Sequence, residues 1–380
     1  MKTIYLDNAA TSPMDPRVID VMTEAMKGTF GNPSSIHASG RDARQKLDSA
    51  RMAAAKSIGA GFNEIIFTSG GTEADNLALS GAAHALKEKG RHIITSSIEH
   101  HAVLHTCAQL EKEGFEITYL PVDEQGRVSI KDVESALRED TILVSIMYGN
   151  NEVGTVQPIS EIGKLVRSRG SLLHTDAVQA FGMKKIDVEE ENIDLLSISA
   201  HKINGPKGVG FLYARKNVPL EAKTFGGEQE RKRRAGTENL PSLVGMAEAI
   251  KLSQEEMDKK TEEYIAFKGI LIDILKEENV EFYLNGSLEQ SLPHVLNLSF
   301  PGTDVESMLV NLDLAGIAVS SGSACTAGSI EPSHVLLAMF GKDSERLRNS
   351  IRFSFGIGNT EEDIIYAGRE VSKIVNRLRK

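Results

Sequence analysis

The stretch Thr68-Ser69-Gly70-Gly71-Thr72-Glu73-Ala74-Asp75-Asn76 follows a short apolar run and opens a helical pattern. Glycines let a backbone approach an anion closely, and a helix N-terminus offers unpaired N–H groups and the positive end of a dipole. The stretch therefore reads as a phosphate cradle. Its spacing is neither a P-loop nor G-x-G-x-x-G, so a Walker-type nucleotide site is not supported. Taken alone, it reads equally as a tight strand-to-helix turn with a threonine cap.

Around it, from about residue 60 to 215, short apolar runs alternate with helical patterns. The runs at 64–68, 92–96, 116–121, 142–147, 172–175, 195–199 and 208–214 predict strands. Between them lie amphipathic segments, such as Ile159, Ile162 and Val166 ahead of Gly170. Strands alternating with helices predict an α/β fold with a mostly parallel sheet and right-handed crossovers. Ligands of such sheets bind at the carboxyl ends of the strands. Beyond residue 215, a long polar helix is expected over 240–277, broken near Gly269 and suited to link two domains. The patterns that follow predict a smaller α+β domain: strands near 295–300, 317–320 and 350–354, and helices from Val305, near Ser333 and over 360–379. The expected division is a large domain over 13–255 and a small one made of 1–12 and 256–380. A chain of 380 residues exceeds what one core usually supports.

Two further strand ends carry chemistry. Ser197-Ile198-Ser199-Ala200-His201-Lys202 places a lysine directly after an apolar strand. Near a cofactor aldehyde, a desolvated lysine forms a Schiff base; elsewhere it is a surface loop residue. Leu172-Leu173-His174-Thr175-Asp176 ends a strand on an acid. Such an acid can hold a cationic ring nitrogen or simply cap the next helix. An anion cradle, an acid and a lysine in that order, each at a strand end of one sheet, is the arrangement of a fold-type I enzyme of pyridoxal 5'-phosphate (PLP).

Composition narrows the class. With 41 % hydrophobic and 25 % charged residues, the chain is that of an ordinary soluble protein. A formal net charge of −10 argues against direct nucleic-acid binding. The N-terminus shows no signal-peptide pattern and no apolar run is long enough to span a bilayer, so a cytoplasmic protein without membrane partners is expected. The two cysteines, Cys107 and Cys325, form no metal-spaced set, and a disulfide is not expected in a reducing compartment. His101 and His105 stand at i, i+4, but no third ligand or HExxH pattern joins them, so no metal is expected.

The chain resembles the class-V aminotransferase family and, within it, the cysteine desulfurases of the NifS/IscS type. The resemblance runs from Tyr5-Leu6-Asp7-Asn8-Ala9-Ala10-Thr11 to about Phe355. It is carried by Gly31-Asn32-Pro33-Ser34-Ser35, the 68–76 cradle, Glu99-His100, Asn150-Asn151-Glu152-Val153-Gly154, residues 176–179, residues 199–202, and Ser321-Gly322-Ser323-Ala324-Cys325-Thr326. The resemblance implies a PLP enzyme that converts L-cysteine to L-alanine. In it Lys202 is the Schiff-base lysine and Asp176 the partner of the ring nitrogen. Gln179 and Asn151 lie about the ring hydroxyl, and Gly71, Thr72, Ser199 and His201 bind phosphate. Thr237 reaches the phosphate from a second subunit, which implies a homodimer. His100 stacks on the ring and transfers protons, Arg352 clamps the substrate carboxylate, and Asn32 is a weaker substrate-side candidate.

Cys325 sits in a small, polar, glycine-rich segment, where a thiol is exposed and free to ionise. The resemblance makes it the sulfur acceptor, carrying a persulfide to an acceptor protein: an iron–sulfur scaffold or a tRNA-thiolation enzyme. Cys107, within an apolar-patterned helix, reads as packing. A selenocysteine lyase, or another class-V aminotransferase or lyase, would share Lys202 and Asp176. The run Arg231-Lys232-Arg233-Arg234 is expected to be a solvated face or a dock for an acidic partner. The further C-terminal tail that some relatives use to bind a scaffold is not seen.

Overall fold

A computed structural model describes residues 3–322 and 332–379, together with the backbone of 325–326 and 329–330. The chain opens with β1 (Ile4–Tyr5), α1 (Pro16–Gly28) and α2 (Ala38–Lys56). It then alternates through β2 (Ile65–Thr68), α3 (Gly71–Leu86), β3 (His92–Ser96), α4 (His101–Lys112), β4 (Glu116–Leu120), α5 (Ile130–Ala136), β5 (Thr141–Ser145), α6 (Ile159–Ser168), β6 (Leu172–Asp176), β7 (Leu195–Ser199) and β8 (Gly210–Ala214). Two helices follow, α7 (Leu240–Glu255) and α8 (Met257–Glu277). The remainder is β9 (Tyr283–Asn285), β10 (Val295–Ser299), α9 (Val305–Leu314), β11 (Ile317–Ala318), β12 (Cys325–Thr326), β13 (Ser329–Ile330), α10 (His334–Phe340), β14 (Ser350–Ser354) and α11 (Glu361–Leu378).

Strands β2 to β8 form one seven-stranded sheet in the order β2-β8-β7-β6-β5-β3-β4. Only β8 runs against its neighbours; the pairs β7–β6, β6–β5, β5–β3 and β3–β4 are parallel. Most of these strands are buried along their whole length, because helices cover both faces of the sheet. One face packs on α1, α2, α6 and α7, with Leu47, Ile162, Leu196 and Met246 in the core. The other packs on α3 and α4, with Leu77, Val103 and Leu143. Helix α6 shows why: Ile159, Ile162, Gly163 and Val166 recur at helical spacing and are its buried residues.

A second core forms the smaller domain. It joins Ile4 and Leu6 to Phe267, Leu271, Leu298, Phe353, Ile364 and Val371, around the antiparallel sheet β14-β10-β9. The N-terminal segment thus packs on the last third of the chain, where β1 pairs in parallel with β11.

Residues 240–277 differ from the single polar helix expected from the sequence. The chain breaks at Glu256, between α7 and α8, and Gly269 lies inside α8. Helix α7 is largely buried: nine of its residues, Leu243, Met246 and Ile250 among them, are packed away from solvent. The basic run 231–234 is also not simply solvated. Arg234 pairs with Glu73 at 2.7 Å, and Arg233 donates to the Asn63 carbonyl at 2.9 Å. Among the described residues, no helix is long and apolar enough to cross a membrane.

Candidate active site

The carboxyl ends of β6 and β7, the N-termini of α3 and α4, and the N-terminal segment enclose a cavity of about 670 Å³. Lys202 enters it from the single 3-10 turn that ends β7 (Ala200–Lys202). Asn204 takes a left-handed φ of 61° just after, and a Cβ on Gly205 would press within 2.8 Å of the Ala200 carbonyl oxygen. That tight exit fixes the lysine. Its Nζ donates to the Ala9 carbonyl and, at 2.8 Å, to the Ala10 carbonyl. The segment carrying both carbonyls is tied down by Ser12, whose hydroxyl and N–H donate to the His201 carbonyl at 2.7 and 3.0 Å. Burial, helped by the Arg352 charge, pulls the Lys202 pKa down to about 8, against the opposing pull of Asp176 and Asp7.

Asp176 stands at the end of β6, buried, with one carboxylate oxygen accepting from the Val178 N–H at 2.9 Å. Burial raises its pKa, while His100, that N–H and Lys202 act in the opposite direction. Next to it, the Gln179 amide donates to the Ala9 carbonyl at 2.7 Å and meets the His294 ring Nε2 at 3.2 Å.

At the cradle, Gly70 caps α3 with no side-chain hydrogen bond, so the first N–H groups of a 16-residue helix lack a capping side chain. A Cβ on Gly71 would come within 2.8 Å of Val178, and one on Gly210 within 2.9 Å of Gly70. At Gly210 the close approach of backbones requires glycine, while at Gly71 the Val178 side chain fills the space a Cβ would take. Glu73 braces the loop: one oxygen accepts the Ser69 N–H at 2.7 Å, the other the Arg234 guanidinium at 2.7 Å.

His100 caps α4. Its Nδ1 accepts from the Ala102 N–H at 3.1 Å, so in the neutral ring the proton sits on Nε2. The ring reaches solvent at the cavity mouth, yet the surrounding wall desolvates it and lowers its pKa, with a smaller push from Lys202. His201 is held down to about 4 by burial and by Lys202 and Lys207; its Nδ1 lies 3.1 Å from the Thr11 hydroxyl. Arg352 on β14 is 3 % exposed. It donates to the Asn151 carbonyl at 2.9 Å and to Asp7 at 2.8 Å, leaving its buried Nε without a partner.

Ten of the thirteen residues expected from the sequence thus line one cavity: Gly71, Thr72, His100, Asn151, Asp176, Gln179, Ser199, His201, Lys202 and Arg352. Asn32 and Thr237 are exposed and do not line it. The Cys325 side chain lies outside the described residues.

A family model for aminotransferase class-V matches residues 4–366. A putative cysteine desulfurase IscS 1 of Bacillus subtilis (strain 168) is 64 % identical, with the whole of both chains covered. A cysteine desulfurase IscS of Dictyoglomus turgidum is 49 % identical over the whole of this chain and 96 % of its own. Among solved structures, a NifS-like protein superimposes with a TM-score of 0.92 at 37 % identity, covering 99 % of this chain and 100 % of that one. The chain belongs to the class-V aminotransferase family, as a cysteine desulfurase of the IscS/NifS type.

That family implies PLP, and the residues of this desulfurase fit it. An uncapped helix N-terminus with Thr72, Ser199 and His201 suits a phosphate. A buried carboxyl suits a cationic nitrogen, and a lysine of lowered pKa suits an aldehyde.

Several residues of this desulfurase site carry no individual signal in the sequence. The backbone carbonyls of Ala9 and Ala10 hold Lys202, Asp7 occupies Arg352, and His294 holds Gln179. The Asp7 motif was visible, but a partner 345 residues away was not. Asp75 also lines the cavity, four residues after Gly71 on the same helix. The ligating atoms of Asp75, His100 and Asp176 lie within 4.8 Å of one another, a spacing that suits an acid–base cluster as well as a cation.

Proposed function

We propose that the enzyme uses PLP to convert L-cysteine to L-alanine, and that it passes the sulfur as a persulfide on Cys325 to an acceptor protein. The observation that carries this reading is the convergence of Lys202, Asp176 and His100 on one cavity beside an uncapped helix N-terminus.

When bound, PLP supplies an aldehyde that captures the substrate amine and a ring that takes up electrons from Cα. Gly71, Thr72, Ser199 and His201 would hold its phosphate, and Gln179 and Asn151 would lie about its ring hydroxyl. Asp176 would hold a proton at the ring nitrogen by charge pairing. Lys202 would be the base for the Cα proton; its lowered pKa raises the fraction of free amine near neutral pH. Arg352 takes the substrate carboxylate, exchanging its contact with Asp7 for the substrate; Asn32, outside the cavity, makes no such contact from the same subunit. His100 meets the substrate with its proton on Nε2, which makes it a donor first and favours a shuttling role over direct deprotonation of the thiol. The Cys325 thiolate attacks the substrate sulfur: the S–S bond forms as the Cβ–S bond breaks, and the electron pair stays with the carbon fragment that leaves as alanine after protonation.

The reading extends to a homodimer in the cytoplasm, with Thr237 serving the phosphate of the partner. Phe30, Ile36 and Phe225 are 85 %, 91 % and 85 % exposed, and a dimer interface would cover such side chains. The sulfur acceptor would be a protein of iron–sulfur cluster assembly or of tRNA thiolation.

The test is incubation of the PLP-loaded protein with L-cysteine, with alanine, sulfide under reductant and persulfide each measured. Alanine and sulfide should form in equal amounts without a keto acid. Cys325→Ser should lose persulfide and nearly all sulfide release. Unchanged sulfide release from that variant would show that another group accepts the sulfur.

A further inference from the structure

Among the described residues, Asp75 is the one buried acid on the cavity wall that the proposed chemistry leaves unused. It lies on α3, one turn into the helix, and is 1 % exposed. Its Oδ1 has no hydrogen-bond partner. The carboxyl lines the cavity beside Asp176, with oxygens of the two groups within 4.8 Å. Two carboxylates this close, out of water, do not both ionise, because each anion raises the energy of the other.

The surroundings decide which of them keeps the proton. Asp176 accepts the Val178 N–H and shares the cavity with the Lys202 ammonium and the His100 ring. Asp75 has the Ser197 hydroxyl and no cation. Its nearest basic atom is Nε2 of His174, 3.5 Å away. Burial keeps that ring neutral, near a pKa of 3, and it is held between the Ser145 and Ser197 hydroxyls at 2.8 and 3.1 Å. A further titratable group facing Asp75 is Glu99, at the link from β3 to α4. It is another buried acid, its own pKa pushed up to about 8, with Oε2 unpartnered. The His100 ring nitrogen also lies within 4.8 Å of Asp75, but desolvation holds that ring toward its neutral form. The Asp176 carboxylate and burial thus both favour the proton on Asp75, and no neighbouring cation opposes them.

We propose that Asp75 is the protonated half of a buried carboxyl pair with Asp176, a positioning residue that leaves Asp176 as the single anion available to a cationic ring nitrogen. Its significance for the reaction rests on the proposed role of Asp176; the protonation itself does not. As a neutral acid, Asp75 stands beside Asp176 without competing for the ring proton. Ionised, it would add a second negative charge beside Asp176 and hold a proton near that pair more tightly.

The measurement is the pH titration of the aspartate carboxyl carbons by carbon-13 NMR on selectively labelled protein, without and with PLP. One aspartate resonance should remain at the protonated position through pH 7, in the protein with and without PLP, and Asp75→Asn should remove it. In Asp176→Asn, with the neighbouring charge gone, the same resonance should titrate at lower pH than in the wild type. Infrared spectra give an independent reading: the carbonyl stretch of a buried carboxylic acid should be lost in Asp75→Asn while that of Glu99 remains. If all aspartates are ionised at pH 7, the pair is refuted, and this needs no variant that folds. A protonated Asp75 in a protein that takes up no PLP would refute the reading of Asp176 and leave the pair standing.

Discussion

Among the described residues, burial lowers the pKa of two lysines, and they stand in different regions. Lys202 lies at the end of β7, and Lys268 in the middle of α8. Burial depresses both, to about 8 and about 7. Lys268 is only 5 % exposed; its ammonium donates to the Ser291 hydroxyl at 3.0 Å and the Leu292 carbonyl at 2.7 Å. It lines no part of the cavity, and after burial the like charge of Lys184 lowers it further. Lys202 differs in its neighbours: an acid, a histidine and an open volume at a strand end. A lowered pKa alone marks both residues. Only position relative to the sheet separates a reactive amine from a structural one.

The sharpest way to break this contrast is to remove each amine. Lys202→Ala should lower cysteine turnover by about 10³-fold or more, since the base and the covalent anchor go together. Lys268→Met should keep turnover within severalfold and change thermal stability instead. Equal losses in a turnover assay would mean that the contrast is wrong.

A second, smaller effect sharpens the same difference. Asp176→Asn removes the acid that distinguishes the surroundings of Lys202, and turnover should fall by about 10²-fold. The amine should also titrate lower, because Asp176 supports its protonation. An unmoved titration, followed in the PLP-free protein by the pH dependence of amine-selective labelling at Lys202, would separate Asp176 from Lys202.

The smallest effect concerns Lys268. Its folded pKa lies below the unfolded value near 10.5, so the unfolded chain binds more protons between about pH 7 and 10.5. The penalty for burying this lysine is therefore full below pH 7 and fades as pH rises through that window. Relative to Lys268→Met, the wild type should gain stability across it, on the order of several kcal/mol. Denaturant unfolding at the two ends checks the sign, and a parallel pair of curves would contradict it.

The same contrast explains what could be read from the sequence. The runs 92–96 and 195–199 are apolar enough to announce strands, and a strand end is where chemistry sits in an α/β sheet. Lys202, Asp176 and the Gly70-Gly71 turn were therefore legible together. Lys268 lies on a helix whose buried face is mixed with charge, Lys260 and Lys268 being among its buried residues. That charge makes 240–277 look like one solvated helix, hiding both the break at Glu256 and the burial of α7. Gly269 drew the expected break to the wrong place, because an exposed helix tolerates glycine at about 1 kcal/mol. Asp75 was within the quoted cradle, yet nothing local shows that a helical aspartate faces another carboxyl 101 positions away. Asp7 with Arg352 and Gln179 with His294 are the same case: contacts made by the fold, between residues distant in sequence. Cys107, by contrast, was readable as packing from its helix, and burial holds its thiol near 12.

The most direct test is chemical trapping. Borohydride reduction of the PLP-loaded protein fixes the cofactor to the amine that holds it, and peptide mass mapping then locates the label. The pyridoxyl mass should appear on the peptide containing Lys202 and be absent from Lys268. A label on Lys268 or Lys207, or a protein that retains none, would contradict the assignment of Lys202 as the reactive amine.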